Sequence, residues 1–157
     1  MSTPNPAAVD QGYYTAQALG FAVEKAAAAL PASTAGALFT ISGGRVLLLG
    51  ILGEVTTIIE TQANDTKLTA NPTTGTSVDI CAALDITAKE VGALFGITGT
   101  FTDALQGGTA GAVGFPARGV VLPEGTLDLD CAATNTGAIK WKLWYLPLDE
   151  GAAVVAA

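Results

Sequence analysis

The stretch GTLDLDCAATNTGAIKWKLWY (residues 125–145) decides the fold class of this chain. Apolar and polar residues alternate on both sides of a short polar segment, AATNTG, and such alternation is typical of half-buried strands. Leu127 and Leu129 share one face before the polar segment, and Trp141 and Leu143 share one face after it. The sequence therefore predicts two β-strands here, each with one face against an apolar core.

We predict that these two strands form an antiparallel hairpin centred on Asn135. This register places Asp130 opposite Lys140 and Asp128 opposite Lys142, and it gathers the apolar residues on the other face. Each exposed Asp–Lys pair contributes roughly 0.2–1 kcal/mol, so the pairs fix the register more than they stabilise the fold.

Trp144 lies just beyond the charged pairs, on the face that should meet water. A large aromatic side chain in this position needs a neighbour that covers it. That neighbour is a loop of the same chain, a sister subunit or a larger assembly, and the sequence leaves these three alternatives open.

The rest of the chain is also typical of an all-β protein. Half of the 157 residues are hydrophobic, only 13% are charged, and the 19 glycines recur beside β-branched residues. The pair Gly43–Gly44 between two apolar runs is a hairpin signal. About eight strands with closely spaced turns predict an antiparallel β-sandwich, jelly-roll-like, with an extended N-terminal arm.

The chain divides into an N-terminal arm and entry segment (residues 1–33) and a sandwich domain (residues 34–157). Residues 16–33 are compatible with a helix or a strand, and we favour a strand or extended chain because the sequence that follows is β. The domain ends in a short apolar tail, AAVVAA, which is easier to rationalise if it packs on a neighbouring subunit.

Net charge excludes some classes of partner. The chain carries −7 at neutral pH with seven scattered Lys and Arg residues, which argues against binding nucleic acid or an anionic membrane. The longest apolar run, VLLLGILG, has eight residues, and a membrane-spanning helix needs about 20. The N-terminus lacks the pattern of a signal peptide, so we expect the protein to stay in the cytoplasm where it is made, or in what assembles there.

The sequence offers little for catalysis. There is no histidine, the usual general base and commonest metal ligand. We interpret Cys81 and Cys131 as small buried residues, and whether they pair stays open. Asp128 and Asp130 are explained by strand register without acid–base work. We therefore predict no catalytic, cofactor-binding or metal site, and no enzymatic activity.

The candidate functional residues are aromatic contact residues. Tyr13 and Tyr14 lie in the N-terminal arm, where they either dock on a partner or belong to a frayed terminus. With Trp144 they form the predicted interface set.

The segments ISGGRVLLLGILGEVTTII and GVVLPEGTLDLDCAATNTGAIKWKLWYLPLDEGA, with the Gly-rich stretch between them, resemble small β-rich virion structural proteins of tailed bacteriophages. In particular they resemble capsid decoration (cement) proteins. The resemblance implies a jelly-roll or β-sandwich fold and homo-oligomers, either dimers or trimers. It also implies binding to the major capsid protein on the outer surface of the virion after synthesis in the host cytoplasm. The alternatives are a tail, baseplate or head-fibre component, and a carbohydrate-binding adhesion β-sandwich.

Overall fold

The computed structural model describes residues 20–107 and 111–157, which form two packed antiparallel sheets. The strands are β1 (Phe21–Ala29), β2 (Ala35–Ser42), β3 (Val46–Thr57), β4 (Asp65–Pro72), β5 (Val78–Asp79), β6 (Leu84–Asp85), β7 (Leu94–Gly96), β8 (Gln106–Gly107), β9 (Val120–Leu122), β10 (Gly125–Cys131), β11 (Ala138–Pro147) and β12 (Ala153–Ala156). The first sheet has the order β1-β11-β3-β7-β8, with β9 also paired to β3. The second has the order β12-β2-β10-β4-β5, with β6 also paired to β4. The prediction of an all-β, antiparallel sandwich is confirmed.

The predicted hairpin between β10 and β11 is wrong. β10 lies between β2 and β4 in the second sheet, whereas β11 lies between β1 and β3 in the first. Asp130 is opposite Lys67, and Asp128 is opposite Thr69. The lysines of β11 are likewise opposite residues of the first sheet and not these aspartates. The alternation had identified the core-facing apolar residues of each strand correctly, but the two faces meet across the core instead of side by side. Asp128, which was expected to be exposed, is 7% exposed, so that part of the prediction is wrong.

Two buried asparagines explain why the chain crosses between the sheets after β10. Asn135 Nδ2 donates to the carbonyl oxygen of Gln62 at 2.8 Å, and Asn64 Nδ2 donates to Asn135 Oδ1 at 3.1 Å. The Ala133 N–H donates to Asn64 Oδ1 at 3.1 Å. These bonds fasten the AATNTG segment to the loop after β3, so the segment bridges the two sheets and does not turn back on itself.

The Gly43–Gly44 turn also crosses between sheets, because it links β2 in the second sheet to β3 in the first. The hairpin predicted there is therefore wrong. Arg45 follows the turn, and its backbone N–H and guanidinium donate to the Asp149 carboxylate at 2.7–2.9 Å. These hydrogen bonds hold the pKa of Asp149 well below its usual range. The contact fixes the turn before β3 against the loop before β12.

The core lies between the sheets and includes Trp141, which was expected to be buried. Its ring stacks on Phe95 with a centroid distance of 6.4 Å. Gly53 lies on β3 opposite Trp141, and a Cβ there would lie 2.7 Å from the indole ring. The glycine therefore leaves the space that the indole fills.

Both ends of the described chain join the sandwich. The strand favoured for the entry segment is confirmed over Phe21–Ala29, and β1 pairs with β11. The apolar C-terminal tail forms β12, which pairs with β2 and buries Val154. Val155 is 55% exposed, and the expectation that a neighbouring subunit covers the tail stays a prediction. The remainder of the N-terminal arm lies outside the described residues.

Candidate interaction surfaces

Trp144 lies on the outer face of the first sheet, as its position in the alternation predicts. Its neighbours across the sheet are Ala22 on β1 and Gly50 on β3, two small residues that leave room beside the indole. The ring of Phe115 meets it edge-on, with a centroid distance of 5.4 Å and an interplanar angle of 74°. Trp144 is half-buried as a result.

Phe115 belongs to a segment, residues 111–119, that crosses the outer face of the first sheet. Its ring occupies the space that a side chain at Gly50 would fill. Gly119, at the end of the segment, lies against the Leu47 side chain. A loop of the same chain therefore covers part of Trp144, which is one of the three alternatives that the sequence left open. Phe115 itself is 53% exposed, so the Trp144–Phe115 pair (the aromatic surface) keeps one side open.

The charged residues around the aromatic surface are paired within the chain. Lys142 Nζ lies 3.0 Å from Glu24 Oε1 and 5.5 Å from the centre of the Trp144 ring. Lys140 Nζ lies 3.1 Å from Glu54 Oε2. A groove of about 490 Å³ runs between these two ion pairs. Exposed ion pairs contribute roughly 0–1 kcal/mol each to the free energy of folding. Because these charges already have partners, the aromatic rings are the part of this face that remains available for a contact.

A second apolar surface lies at the edge of the sandwich away from β1 and β12, in a groove of about 150 Å³ between β9 and the β4–β5 pair. Three hydrophobic side chains line it while remaining exposed: Val78 (47%), Phe101 (43%) and Val121 (55%). We call this the edge groove. The sequence did not predict it, because its residues come from three separate segments that share no periodicity. Val121 is exposed between the buried Val120 and Leu122, but the sequence VVL is uniformly apolar and does not distinguish the three residues.

The two cysteines are buried and free, as small core residues are expected to be. Burial raises the pKa of both thiols, so they are protonated and unreactive at neutral pH. The Leu68 N–H donates to Cys81 Sγ at 3.3 Å, and the Thr66 hydroxyl oxygen lies 3.7 Å from Cys131 Sγ. These contacts are those of structural residues.

The carboxylates of the second sheet interact with its own strands. Lys67 Nζ lies 2.7 Å from Asp79 Oδ2, and this hydrogen bond lowers the pKa of Asp79. The same ammonium lies 3.8 Å from Asp130. Asp128 Oδ2 accepts a hydrogen bond of 3.4 Å from Asn71, and its Oδ1 is buried without a partner. Within residues 20–107 and 111–157, no group of three or more His, Cys, Asp or Glu residues is placed to hold a metal ion.

Tyr13 and Tyr14, the other two predicted interface residues, lie outside the part of the chain that the structure describes. Their role in contacts stays a prediction. No helix among the described residues is long and apolar enough to cross a membrane.

Comparison of the chain with protein-family models, curated proteins and solved structures gives no match in any of the three. The sandwich, the aromatic surface and the edge groove are therefore the basis on which a function is proposed.

Proposed function

We propose that this protein is a virion structural protein that binds the outside of a phage capsid and stabilises the shell as a decoration protein. Its partners are the major capsid protein and further copies of itself, as a dimer or a trimer. The observation that carries the proposal is the pair of exposed apolar surfaces, one on the outer face of the first sheet and one in the edge groove. A protein that joins neighbouring capsomers needs two such contacts.

The chemistry of both surfaces suits protein contacts. Interfaces concentrate their binding energy in a few aromatic and aliphatic anchors that become fully buried, surrounded by a polar rim. Phe115 and Trp144 supply such anchors on the outer face, with the Lys142–Glu24 ion pair at the rim. Phe101 and Val121 supply them in the edge groove. The net charge of −7 suits a protein that faces away from packaged DNA.

The strand order supports the jelly-roll interpretation. Taking β1, β2, β3, β4, β5, β7, β10 and β11 as the eight strands, the first pairs with the last, the second with the seventh, the third with the sixth and the fourth with the fifth. Nested pairing of this kind, with successive long strands in opposite sheets, is what two interlocked Greek keys produce.

The proposal is tested with phage shells that lack the protein. Purified wild-type protein should cosediment with these shells and raise the temperature at which they open. Phe115→Ser should weaken binding because it removes an exposed anchor, and Val121→Ser should do the same at the edge groove. Val91→Ser is the matched control, since Val91 is 63% exposed and lies in neither surface. Failure of the wild-type protein to bind shells, or equal loss with the control, would contradict the proposal.

The location of the protein in intact virions separates the proposal from its structural alternative. Labelled protein distributed over the whole shell supports decoration. A signal at a single vertex would instead assign it to the tail, the baseplate or a head fibre.

The aromatic surface also favours a second candidate function, adhesion to carbohydrate. The exposed Phe115 ring and the half-buried Trp144 ring offer apolar faces on which sugar rings can stack, and the neighbouring Lys142–Glu24 pair can hydrogen-bond hydroxyl groups. A glycan array probed with the wild-type protein and with Phe115→Ser tests this. Binding that the substitution removes would support adhesion, and an array without signal would exclude it.

A further inference from the structure

β1 forms a lateral edge of the first sheet and, among the described residues, pairs with β11 alone. Seven of the nine residues in its sequence FAVEKAAAA are apolar, and all except Val23 and Lys25 are exposed. A long strand of this kind presents an open row of backbone N–H and C=O groups, which is a template for pairing with another strand.

Both charged residues of β1 are engaged within their own chain. Glu24 accepts a hydrogen bond of 3.0 Å from Lys142, and Lys25 Nζ donates to the carbonyl oxygen of Ala157 at 2.6 Å. Free charges on an edge strand are a common means of preventing strand pairing. Both side chains are held by groups of their own chain, and Lys25 points inward, so Glu24 is the charge on the outer face that a second strand must accommodate.

The faces of β1 restrict how another strand can pair with it. Val23 and Lys25 point inward, opposite buried residues of β11, whereas Ala22 and Glu24 point outward, opposite Trp144 and Lys142. A bulge between Lys25 and Ala28 interrupts the regular ladder. Regular pairing is therefore available along residues 21–25.

We infer that β1 is the contact between two copies of this chain, paired antiparallel about a two-fold axis perpendicular to the first sheet. Such an axis keeps inward residues opposite inward residues. When the ladder is centred on Val23, this residue lies opposite Val23 of the second copy. Ala22 then lies opposite Glu24 of the second copy, and Phe21 lies opposite its Lys25. A ladder centred on Glu24 would instead bring the two Glu24 carboxylates together, and one centred on Lys25 would bring the two Lys25 ammonium groups together.

This contact deepens the proposed self-association by naming its surface and its register. It joins the two first sheets into one continuous sheet and sets the aliphatic stem of Lys25 beside the exposed ring of Phe21. The contact forms in free protein, so its test contains no shells. Its failure is therefore distinguishable from a failure of shell binding.

The register is tested by opposite charges at one exposed position. Ala22→Glu should raise the dimer dissociation constant by roughly tenfold, because the new carboxylate meets Glu24 of the second copy twice per dimer. Ala22→Lys should leave the dissociation constant unchanged or lower it, because the ammonium meets the same carboxylates. Val91→Glu adds the same charge at an exposed site away from β1 and should change nothing. Sedimentation of the full-length proteins over a range of concentrations gives the three dissociation constants.

A cysteine pair tests the same contact without altering charge. Val23→Cys places a thiol opposite the same thiol of the second copy, where facing Cα atoms lie about 4.5–5.5 Å apart, within the range that a disulfide spans. Oxidation should therefore crosslink Val23→Cys into a covalent dimer. Ala22→Cys, which faces Glu24 in this register, should crosslink far less.

The outcomes separate the parts of the inference. A wild-type protein that sediments only as a monomer or as a trimer overturns the dimer. Equal weakening by Ala22→Glu and Ala22→Lys, or stronger crosslinking of Ala22→Cys than of Val23→Cys, overturns the register centred on Val23. Dimerisation unaffected by any change in β1, or weakened as much by Val91→Glu as by Ala22→Glu, overturns β1 as the contact.

Discussion

Replacement of Asn64 by alanine should cause a large loss of stability, because this residue fastens the crossover between the sheets. Asn64 is 1% exposed, and its amide makes four hydrogen bonds. It donates to the Ala133 carbonyl and to Asn135 Oδ1, and it accepts from the Ala133 N–H and the Thr66 hydroxyl. Alanine removes all four and leaves the Ala133 groups and Asn135 Oδ1 without this partner in a site that is closed to most water, whereas the Thr66 hydroxyl keeps the Asn64 backbone carbonyl at 3.2 Å.

The size of the effect follows from these bonds. A hydrogen bond contributes about 0.5–1.5 kcal/mol net, and a buried group left without a partner costs about 1–3 kcal/mol. Asn135 Oδ1 is the most enclosed of the abandoned partners, whereas Ala133 is half-buried and regains some contact with water. We therefore expect Asn64→Ala to lower the free energy of unfolding by about 3–5 kcal/mol. The melting temperature should fall by roughly 10–15 °C.

Urea denaturation and calorimetry of the purified protein measure the effect. Gln62→Ala is the matched control in the same network, because Gln62 accepts through its backbone carbonyl and its side chain is exposed. It should change the free energy by about 0.5 kcal/mol or less. Asn64→Asp keeps the shape but loses both donated bonds, and should destabilise at least as much as alanine. An Asn64→Ala protein within about 1 kcal/mol of wild type would refute this account of the crossover.

Three further predictions concern separate parts of the sandwich. Arg45 depresses the pKa of Asp149, so this carboxylate contributes fully to stability above its ordinary pKa of 3.8, and the contribution is lost as pH falls toward the lower folded pKa. Asp149→Asn should therefore flatten the acid side of a stability–pH curve measured by urea unfolding. An unchanged curve would contradict this. Gly53→Ala should destabilise by about 1–3 kcal/mol because the new methyl displaces the Trp141 ring, with a change in tryptophan fluorescence as the second readout. Both buried thiols should react with a thiol reagent only at the rate of unfolding, and rapid labelling of the native protein would show that they are accessible.

Alternation predicted which side of each strand is buried, and it did so correctly for Leu127, Leu129, Trp141 and Leu143. It could not predict which strand lies alongside, because a period of two specifies a face and leaves the neighbour open. The apparent match between the charges of β10 and β11 was misleading, since each charge has a suitable partner on another strand. The residues that decide the crossover, Asn64 and Asn135, are 71 positions apart.

The aromatic surface was predictable in one respect. The alternation placed Trp144 on the outer face of its strand, where the structure has it. The ring that covers it belongs to a Gly-rich segment without periodicity, so no sequence pattern connected Phe115 to Trp144. The edge groove was beyond prediction for the same reason, because Val78 and Phe101 become neighbours only when the two sheets pack.

The nested pairing of the strands has a consequence for the time at which the protein can fold during its synthesis. Phe21 on β1 pairs with Tyr145 on β11, a separation of 124 residues (145 − 21). At about 5–20 residues per second, a ribosome reaches Tyr145 roughly 6–25 s after it has added Phe21. β2 likewise waits for β10 and β12. Neither sheet can close around the core until nearly the whole described chain has been translated. The apolar β1 segment therefore passes this interval as nascent chain without its partner strand, and chaperones that bind nascent chains have their longest opportunity here.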